Sequence, residues 1–213
     1  MKAYTIGLYE KAMPNTLSWK EKLEAAKEAG YDFVEISIDE TDAKLARLDW
    51  TKEERLELVK TMYEVGLPIR SMCLSGHRKY PIGSSDPATC ARGMEIMEKA
   101  IQLADDLGVR IIQLAGYDVY YDESTPETVA RFGENLKKAV HMAARAGVLM
   151  GFETMETEFM NTCAKSMKYV DAVGSVYLNV YPDSGNINNA SLTYGTDVLE
   201  DLRSCAGHVV AMH

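Results

Sequence analysis

Short apolar runs recur along the chain, and the stretches between them carry apolar residues at three- and four-residue steps. The runs are Tyr4–Tyr9, Phe33–Ile38, Pro68–Leu74, Arg110–Ala115, Val148–Glu153, Tyr177–Tyr181 and His208–His213. They are mostly apolar rather than strictly alternating, which predicts parallel strands covered on the outside by helices. Helical periodicity covers Leu17–Ala29 through Leu17, Ala25 and Ala29, and Glu53–Val65 through Leu56, Val59 and Tyr63. Met94–Leu107 repeats it with Met94, Met97, Ile101, Ala104 and Leu107. Thr125-Pro126 opens a further helix ending near Ala146, with Thr as the cap and Pro at the first helical position.

A glycine stands between most helical stretches and the run that follows. Gly30, Gly66, Gly108, Gly147, Gly174 and Gly207 all occupy this place. Glycine just past a helix adopts the left-handed conformation that closes the last turn, so each junction reads as a helix end feeding a strand. The order is therefore β(αβ) repeated to seven strands, with no composition break inside residues 1–213, and one domain is expected.

Strict βα alternation leaves a doubly wound sheet or a TIM (β/α)8 barrel. No Gly-rich phosphate loop follows any run. Polar residues stand after many of the strands rather than at one crevice, which favours the barrel. Such a barrel uses eight strands and about 250 residues. The expectation is an incomplete α/β barrel with seven parallel strands, lacking the eighth βα unit.

Composition narrows the function. The chain has 213 residues, a formal net charge of -9 and a pI near 5.0, which argues against a nucleic-acid binder. Hydrophobic residues make up 46% and charged residues 26%, an ordinary balance for a globular protein. The start, Met1-Lys-Ala-Tyr-Thr-Ile-Gly7, runs straight into the first strand, so no leader is expected, and no run is long enough for a membrane span. Cys73, Cys90, Cys163 and Cys205 are scattered without a CxxC pair and read as reduced thiols of a cytoplasmic protein.

Candidate chemistry collects at the strand ends, where barrel active sites lie. Glu153, Asp183 and His213 close the last three runs at intervals of 30 residues. That spacing is one βα unit, so all three fall on one rim. Two carboxylates and an imidazole suit a divalent cation, Mn²⁺ or Mg²⁺ first and Zn²⁺ as the alternative. The remaining polar inventory of that rim is Glu10, Glu35 to Glu40, His77, Arg78, Gln113, Tyr117, Tyr120, Tyr121, Glu156 and Asn186. Each has an ordinary structural explanation: a cap partner, a solvated charge, a bonded histidine or a turn residue.

On these residues the chain resembles the L-ribulose-5-phosphate (L-xylulose-5-phosphate) 3-epimerases, a branch of the xylose-isomerase-like TIM barrels. The similar stretches include Gly7-Leu-Tyr-Glu-Lys-Ala-Met-Pro14, Phe33-Val-Glu-Ile-Ser-Ile-Asp-Glu-Thr-Asp42 and Arg47-Leu-Asp-Trp50. They continue through Ser71-Met-Cys-Leu-Ser-Gly-His-Arg78, Ile112-Gln-Leu-Ala-Gly-Tyr-Asp-Val-Tyr-Tyr121 and Tyr181-Pro-Asp-Ser-Gly-Asn186 to His208–His213. The resemblance implies metal-dependent inversion at C3 of a pentulose 5-phosphate. It puts metal ligands at Glu153, Asp183 and His213, with Glu153 also moving the proton. His77, Glu156 and Asn186 would position substrate hydroxyls, and Arg78, Gln113 and the Gly83-Ser84-Ser85 turn are further contacts. It also implies a fourth ligand and second acid/base, a glutamate after strand eight, so the 213-residue form is expected to have little or no epimerase activity. A sugar phosphate is the expected ligand, with neither nucleic acid nor membrane as partner, in a homo-oligomer. The alternatives are an isomerase of unphosphorylated ketohexoses, a non-catalytic barrel fragment, and an endonuclease-like phosphodiesterase. The acidic charge and the four histidines count against the last.

Overall fold

Six parallel strands lie in one sheet in chain order: β1 (Gly7–Tyr9), β2 (Phe33–Ile38), β3 (Ile69–Leu74), β4 (Ile111–Ala115), β5 (Leu149–Glu153) and β6 (Leu178–Tyr181). The computed structural model describes residues 4–213. The connecting helices are α1 (Trp19–Glu28), α2 (Asp42–Leu45), α3 (Lys52–Val65), α4 (Pro87–Leu107), α5 (Pro126–Ala146), α6 (Cys163–Val173), α7 (Ser184–Tyr194) and α8 (Val198–Ser204). Tyr181 on β6 reaches Glu35 on β2 at 2.9 Å, so the sheet is curled around an interior. The architecture is that of an α/β barrel, left open between β1 and the 208–213 segment in the described residues.

Local chemistry explains the element ends. Ser18, Thr51 and Thr125 each form a reciprocal capping box with the residue three positions on. All six junction glycines have positive φ, as their place after a helix requires. The helix expected from Met94 begins two turns earlier, because Asp86 caps it through Thr89 N and Pro87 takes the first turn. The Asp-Pro dipeptide carries that signal, and apolar periodicity alone passes over it.

The apolar stripes read for the first two helices lie on other residues: α1 buries Leu23 and Ala26 while Ala25 and Ala29 are exposed, and α3 buries Leu58, Met62 and Val65 while Leu56 and Tyr63 are exposed. Two further expectations change. The strands do alternate. Val34, Ile36, Ile38, Met72, Leu74, Ile112, Leu114, Met150, Phe152, Leu178 and Val180 are buried in the core shared with the helices. The intervening residues face the barrel interior and are polar or small: Glu35, Ser37, Ser71, Cys73, Gln113, Gly151, Asn179 and Tyr181. Bonds across the interior mark that face, such as Tyr9 Oη to Cys73 Sγ at 3.3 Å and Tyr181 Oη to Glu35. Burying each large apolar side chain of the outer face contributes about 1.5–3 kcal/mol.

The second change concerns His208–His213. It is reduced to a single parallel bridge between Val180 and Val209. Its backbone bonds run to the β6 side: Val180 N to His208 O (2.8 Å), Val210 N to Val180 O (3.1 Å) and His213 N to Pro182 O (2.8 Å). The segment is paired along one edge only among the described residues, and there by one bridge rather than by a run of register pairs. Among the described residues no helix is long and apolar enough to cross a membrane.

Candidate metal centre and active site

The C-terminal ends of β5 and β6 carry the centre. Glu153 is the last residue of β5, and Ala115↔Glu153 is its register partner on β4. The strands pass closely here: a Cβ on Gly116 would lie 2.6 Å from the Glu153 carbonyl oxygen, so only glycine fits. Asp183 follows β6 and caps α7, its Oδ1 accepting Asn186 N at 2.7 Å. Its other carboxylate oxygen makes no hydrogen bond among the described residues. The Asp183 backbone is tied to Thr154, which is fully buried: Asp183 N donates to Thr154 Oγ1 at 2.9 Å. His213 is drawn to the same place by its own backbone, with Ser184 N donating to His213 O at 3.0 Å. The result is one donor atom from each of Glu153, Asp183 and His213, all within 4.8 Å of one another. Sequence spacing predicted this convergence. Thr154, which holds two of the three elements together, carried no signal of its own.

Both nitrogens of His213 are engaged by carboxylates, Nδ1 with Glu153 Oε1 at 2.9 Å and Nε2 with Glu35 Oε1 at 3.0 Å. Burial alone would pull the His213 pKa down, but its bonds to Glu153 and Glu35 and their charges hold it up at about 10. Three carboxylates thus converge on one imidazole. The donor set fits a divalent cation on charge as well as on atom type, since the carboxylates outnumber the cationic groups around them.

The other expected residues divide. Glu156, on the loop after β5, is exposed and accepts Tyr120 Oη at 3.0 Å. Arg78 stacks on the Tyr120 ring, 4.7 Å from its centroid. Arg78 Nε is buried with no hydrogen-bond partner, and no carboxylate is in ion-pair reach of its guanidinium among the described residues. Tyr121 Oη bonds Glu40 at 3.0 Å, so both neighbouring carboxylates are held by tyrosines. Arg78, Glu156 and the tyrosines therefore form one wall of the rim. Asn186 is at the metal trio, but its amide donates to Thr154 O at 2.8 Å and braces α7 against β5.

His77 and Gln113 are placed elsewhere than the open rim. The His77 ring is buried, its Nε2 bonded to Gly93 O at 3.0 Å, and burial pulls its pKa down to about 4, so it is neutral. It faces a small internal cavity walled by Leu114, Tyr117 and Phe132. Gln113 is buried inside the barrel, in register with Gly151 two residues before Glu153, with its Nε2 unbonded. Gly83 packs against backbone, a Cβ there meeting Asp118 O at 2.5 Å, and Arg131 caps the Gly83 and Ser84 carbonyls. That turn has a structural task.

Glu10 also departs from the rim. It is fully buried, and its carboxylate is held by Arg47 through two bonds (2.6 and 2.7 Å), Lys22 (2.7 Å), Lys44 (2.6 Å) and Ser37 N (3.0 Å). Arg47 in turn lies 5.0 and 5.7 Å from the ring centroids of Trp19 and Trp50. This cluster knits β1 to α1 and to the segment after β2.

Fold and centre together define a class. The family model described as xylose isomerase-like TIM barrel matches residues 23–213, and the chain belongs to that family. Within it, the chain is a member of the L-ribulose-5-phosphate 3-epimerase family. It is 48% identical over 212 residues to L-ribulose-5-phosphate 3-epimerase UlaE of Salmonella paratyphi A, and equally to that of Salmonella paratyphi B. The matches take in 100% of this chain and 73% of each relative. Among solved structures, an L-ribulose 3-epimerase superposes with a TM-score of 0.77 at 23% identity, over 98% of this chain and 69% of that one. A D-psicose 3-epimerase in the presence of D-fructose gives 0.80 at 18% identity, over 99% and 72%. At these identities the two structures bear on the fold.

Proposed function

We propose that Glu153, Asp183 and His213 bind a divalent cation, Mn²⁺ or Mg²⁺ in preference to Zn²⁺, and that the site inverts C3 of a pentulose 5-phosphate. L-xylulose 5-phosphate and L-ribulose 5-phosphate are the pair interconverted. The observation that carries this reading is the convergence of two carboxylates and one imidazole on the C-terminal rim, in a chain 48% identical to named 3-epimerases. When bound, the cation supplies Lewis-acid stabilisation of the charge that grows on the ketose oxygens as the C3 proton leaves. Glu153 takes that proton. Its Oε2 makes no hydrogen bond among the described residues and its side chain is partly exposed, so it can face a substrate. The C3–H bond breaks, the proton goes to the carboxylate, and the electron pair enters the enediolate. Inversion then needs a proton delivered to the other face of the planar carbon, the role that the family resemblance gives to a glutamate after strand eight; Glu153 alone exchanges the proton on one face.

Glu156 and Asn186 flank this position and orient substrate hydroxyls. Arg78 takes the phosphate: a stacked guanidinium without a carboxylate partner favours a dianion with paired acceptor oxygens. His77 and Gln113 act from beneath, by shaping the wall. We further infer a water-soluble metabolic enzyme that works as a homo-oligomer in the cytoplasm.

Two measurements test the reading. Calorimetric titration of the chain with Mn²⁺ is expected to show one site, weakened about 10-fold or more in Asp183→Asn. Asn caps a helix as well as Asp does, so that variant removes the ligand charge and keeps α7. For substrate class, with C3 proton exchange in D₂O as the readout, Arg78→Ala is expected to raise KM for L-xylulose 5-phosphate at least about 10-fold, the scale of one charge-assisted contact. KM for an unphosphorylated ketohexose should stay unchanged. Equal KM values for both substrates in the parent chain would instead favour a ketohexose epimerase.

A further inference from the structure

The geometry points to Glu35 as a positioning residue that fixes which nitrogen His213 presents to a cation, an inference that rests on the metal-site reading above. Glu35 lies on β2 and its side chain is 3% exposed, inside the barrel rather than on the rim. Both of its oxygens are committed. Oε1 accepts from His213 Nε2 at 3.0 Å, and Oε2 accepts from Tyr181 Oη at 2.9 Å. Glu35 is not part of the Glu153–Asp183–His213 trio. It stands behind the histidine, on the side away from that trio.

The His213 ring is confined from two further directions. Tyr181 meets it edge-on with ring centroids 4.9 Å apart, and Tyr9 lies at 6.0 Å, tilted by 36°. Tyr9 is itself held by Cys73 and Ser37 across the interior. The imidazole therefore has one orientation. Both ring nitrogens face carboxylates, which only accept. Glu153 belongs to the trio and Glu35 does not, so a cation held by Glu153 and Asp183 would take Nδ1 and leave the Nε2 proton on Glu35.

A metal-bound histidine commonly gives its second N–H to a carboxylate, which sets its tautomer and strengthens it as a donor. Glu35 has that relation to His213 although the two are 178 residues apart in sequence. A buried carboxylate is poorly tolerated unless its partners need it. Neither Tyr181 nor neutral packing against β3 would require a glutamate at this place. The pair of bonds to His213 and Tyr181 accounts for it.

The test is Mn²⁺ affinity of the full chain and of Glu35→Gln and Glu35→Ala, with thermal melting recorded on the same samples. Glu35→Ala is expected to bind Mn²⁺ about 10- to 100-fold more weakly, the scale of a lost outer partner of a metal ligand. Glu35→Gln, which keeps an acceptor and loses the charge, should fall between. In parallel, ¹⁵N spectra of the Zn²⁺-loaded parent chain should show His213 protonated on Nε2 and metal-shifted on Nδ1. A folded Glu35→Ala chain with parent-like affinity overturns the proposal, as does a His213 bound through Nε2. The spectral arm decides the matter even if both variants fail to fold. Failure of the parent chain to bind either metal overturns the metal-site reading itself, which is a distinct result.

Discussion

Glu153→Gln is expected to lower solvent-deuterium exchange at C3 of L-xylulose 5-phosphate by about 10²- to 10⁴-fold, the usual contribution of a positioned general base. The exchange is followed by proton NMR in D₂O at saturating Mn²⁺, in parallel with the unsubstituted chain. Glutamine keeps the shape of the side chain and an oxygen donor, so substrate binding should change much less than turnover. This contrast separates Glu153 from Asp183: losing charge at Asp183 is felt in metal affinity, whereas losing the base at Glu153 persists when metal is in excess. Unchanged exchange in a metal-loaded Glu153→Gln chain would assign proton transfer to another group. The structural basis is the place of Glu153. It ends β5, binds His213 through one oxygen at 2.9 Å and keeps the other unengaged among the described residues.

Glu10→Ala is expected to cost about 3–5 kcal/mol of folding stability, because it strands buried positive charge. Lys22, Lys44 and Arg47 all bond this one carboxylate, and their side chains are 3%, 8% and 12% exposed. Urea denaturation at pH 7 measures the loss, and an unchanged midpoint would count against the cluster as a stabilising element. The pH dependence follows from the same contacts. Burial alone would raise the Glu10 pKa, but the bonds and charges of Arg47, Lys22 and Lys44 outweigh it and hold the carboxyl well below the usual range. Its pKa is thus lower folded than unfolded. The stabilisation is complete above the unfolded value, about 4.3, and is lost as pH falls below that toward the folded value. Between pH 5 and 3 the parent chain should lose stability that Glu10→Gln no longer has to lose.

The legible part of this protein lay in local chemistry. Glycines after helices, Thr125 as a cap, and apolar runs about one βα unit apart each act within a few residues, so they can be read in order. The same regularity put Glu153, Asp183 and His213 on one rim, since equal spacing in a βα repeat means equal height in the barrel. The alternation along the strands was also present in the letters, as in Phe33-Val-Glu-Ile-Ser-Ile38, where Glu35 and Ser37 interrupt the apolar positions. It was masked where glycine, alanine and cysteine take the inward places, because small residues look apolar in a pattern while lining a polar interior.

Sequence by itself thus determined the βα order, the glycine-closed helix C-termini and the height of the candidate metal ligands. Only the tertiary structure decided what surrounds them. Glu10, a strand-end carboxylate by position, is buried among three cations drawn from α1, α2 and the turn after it. His77, beside Arg78 in the chain, turns inward to Gly93 while Arg78 stacks outward on Tyr120. Glu35 meets His213 from across the barrel. The physical reason is the same in each case: a side chain's charge state and task depend on partners brought close by the closure of the sheet, and that proximity has no counterpart in sequence distance.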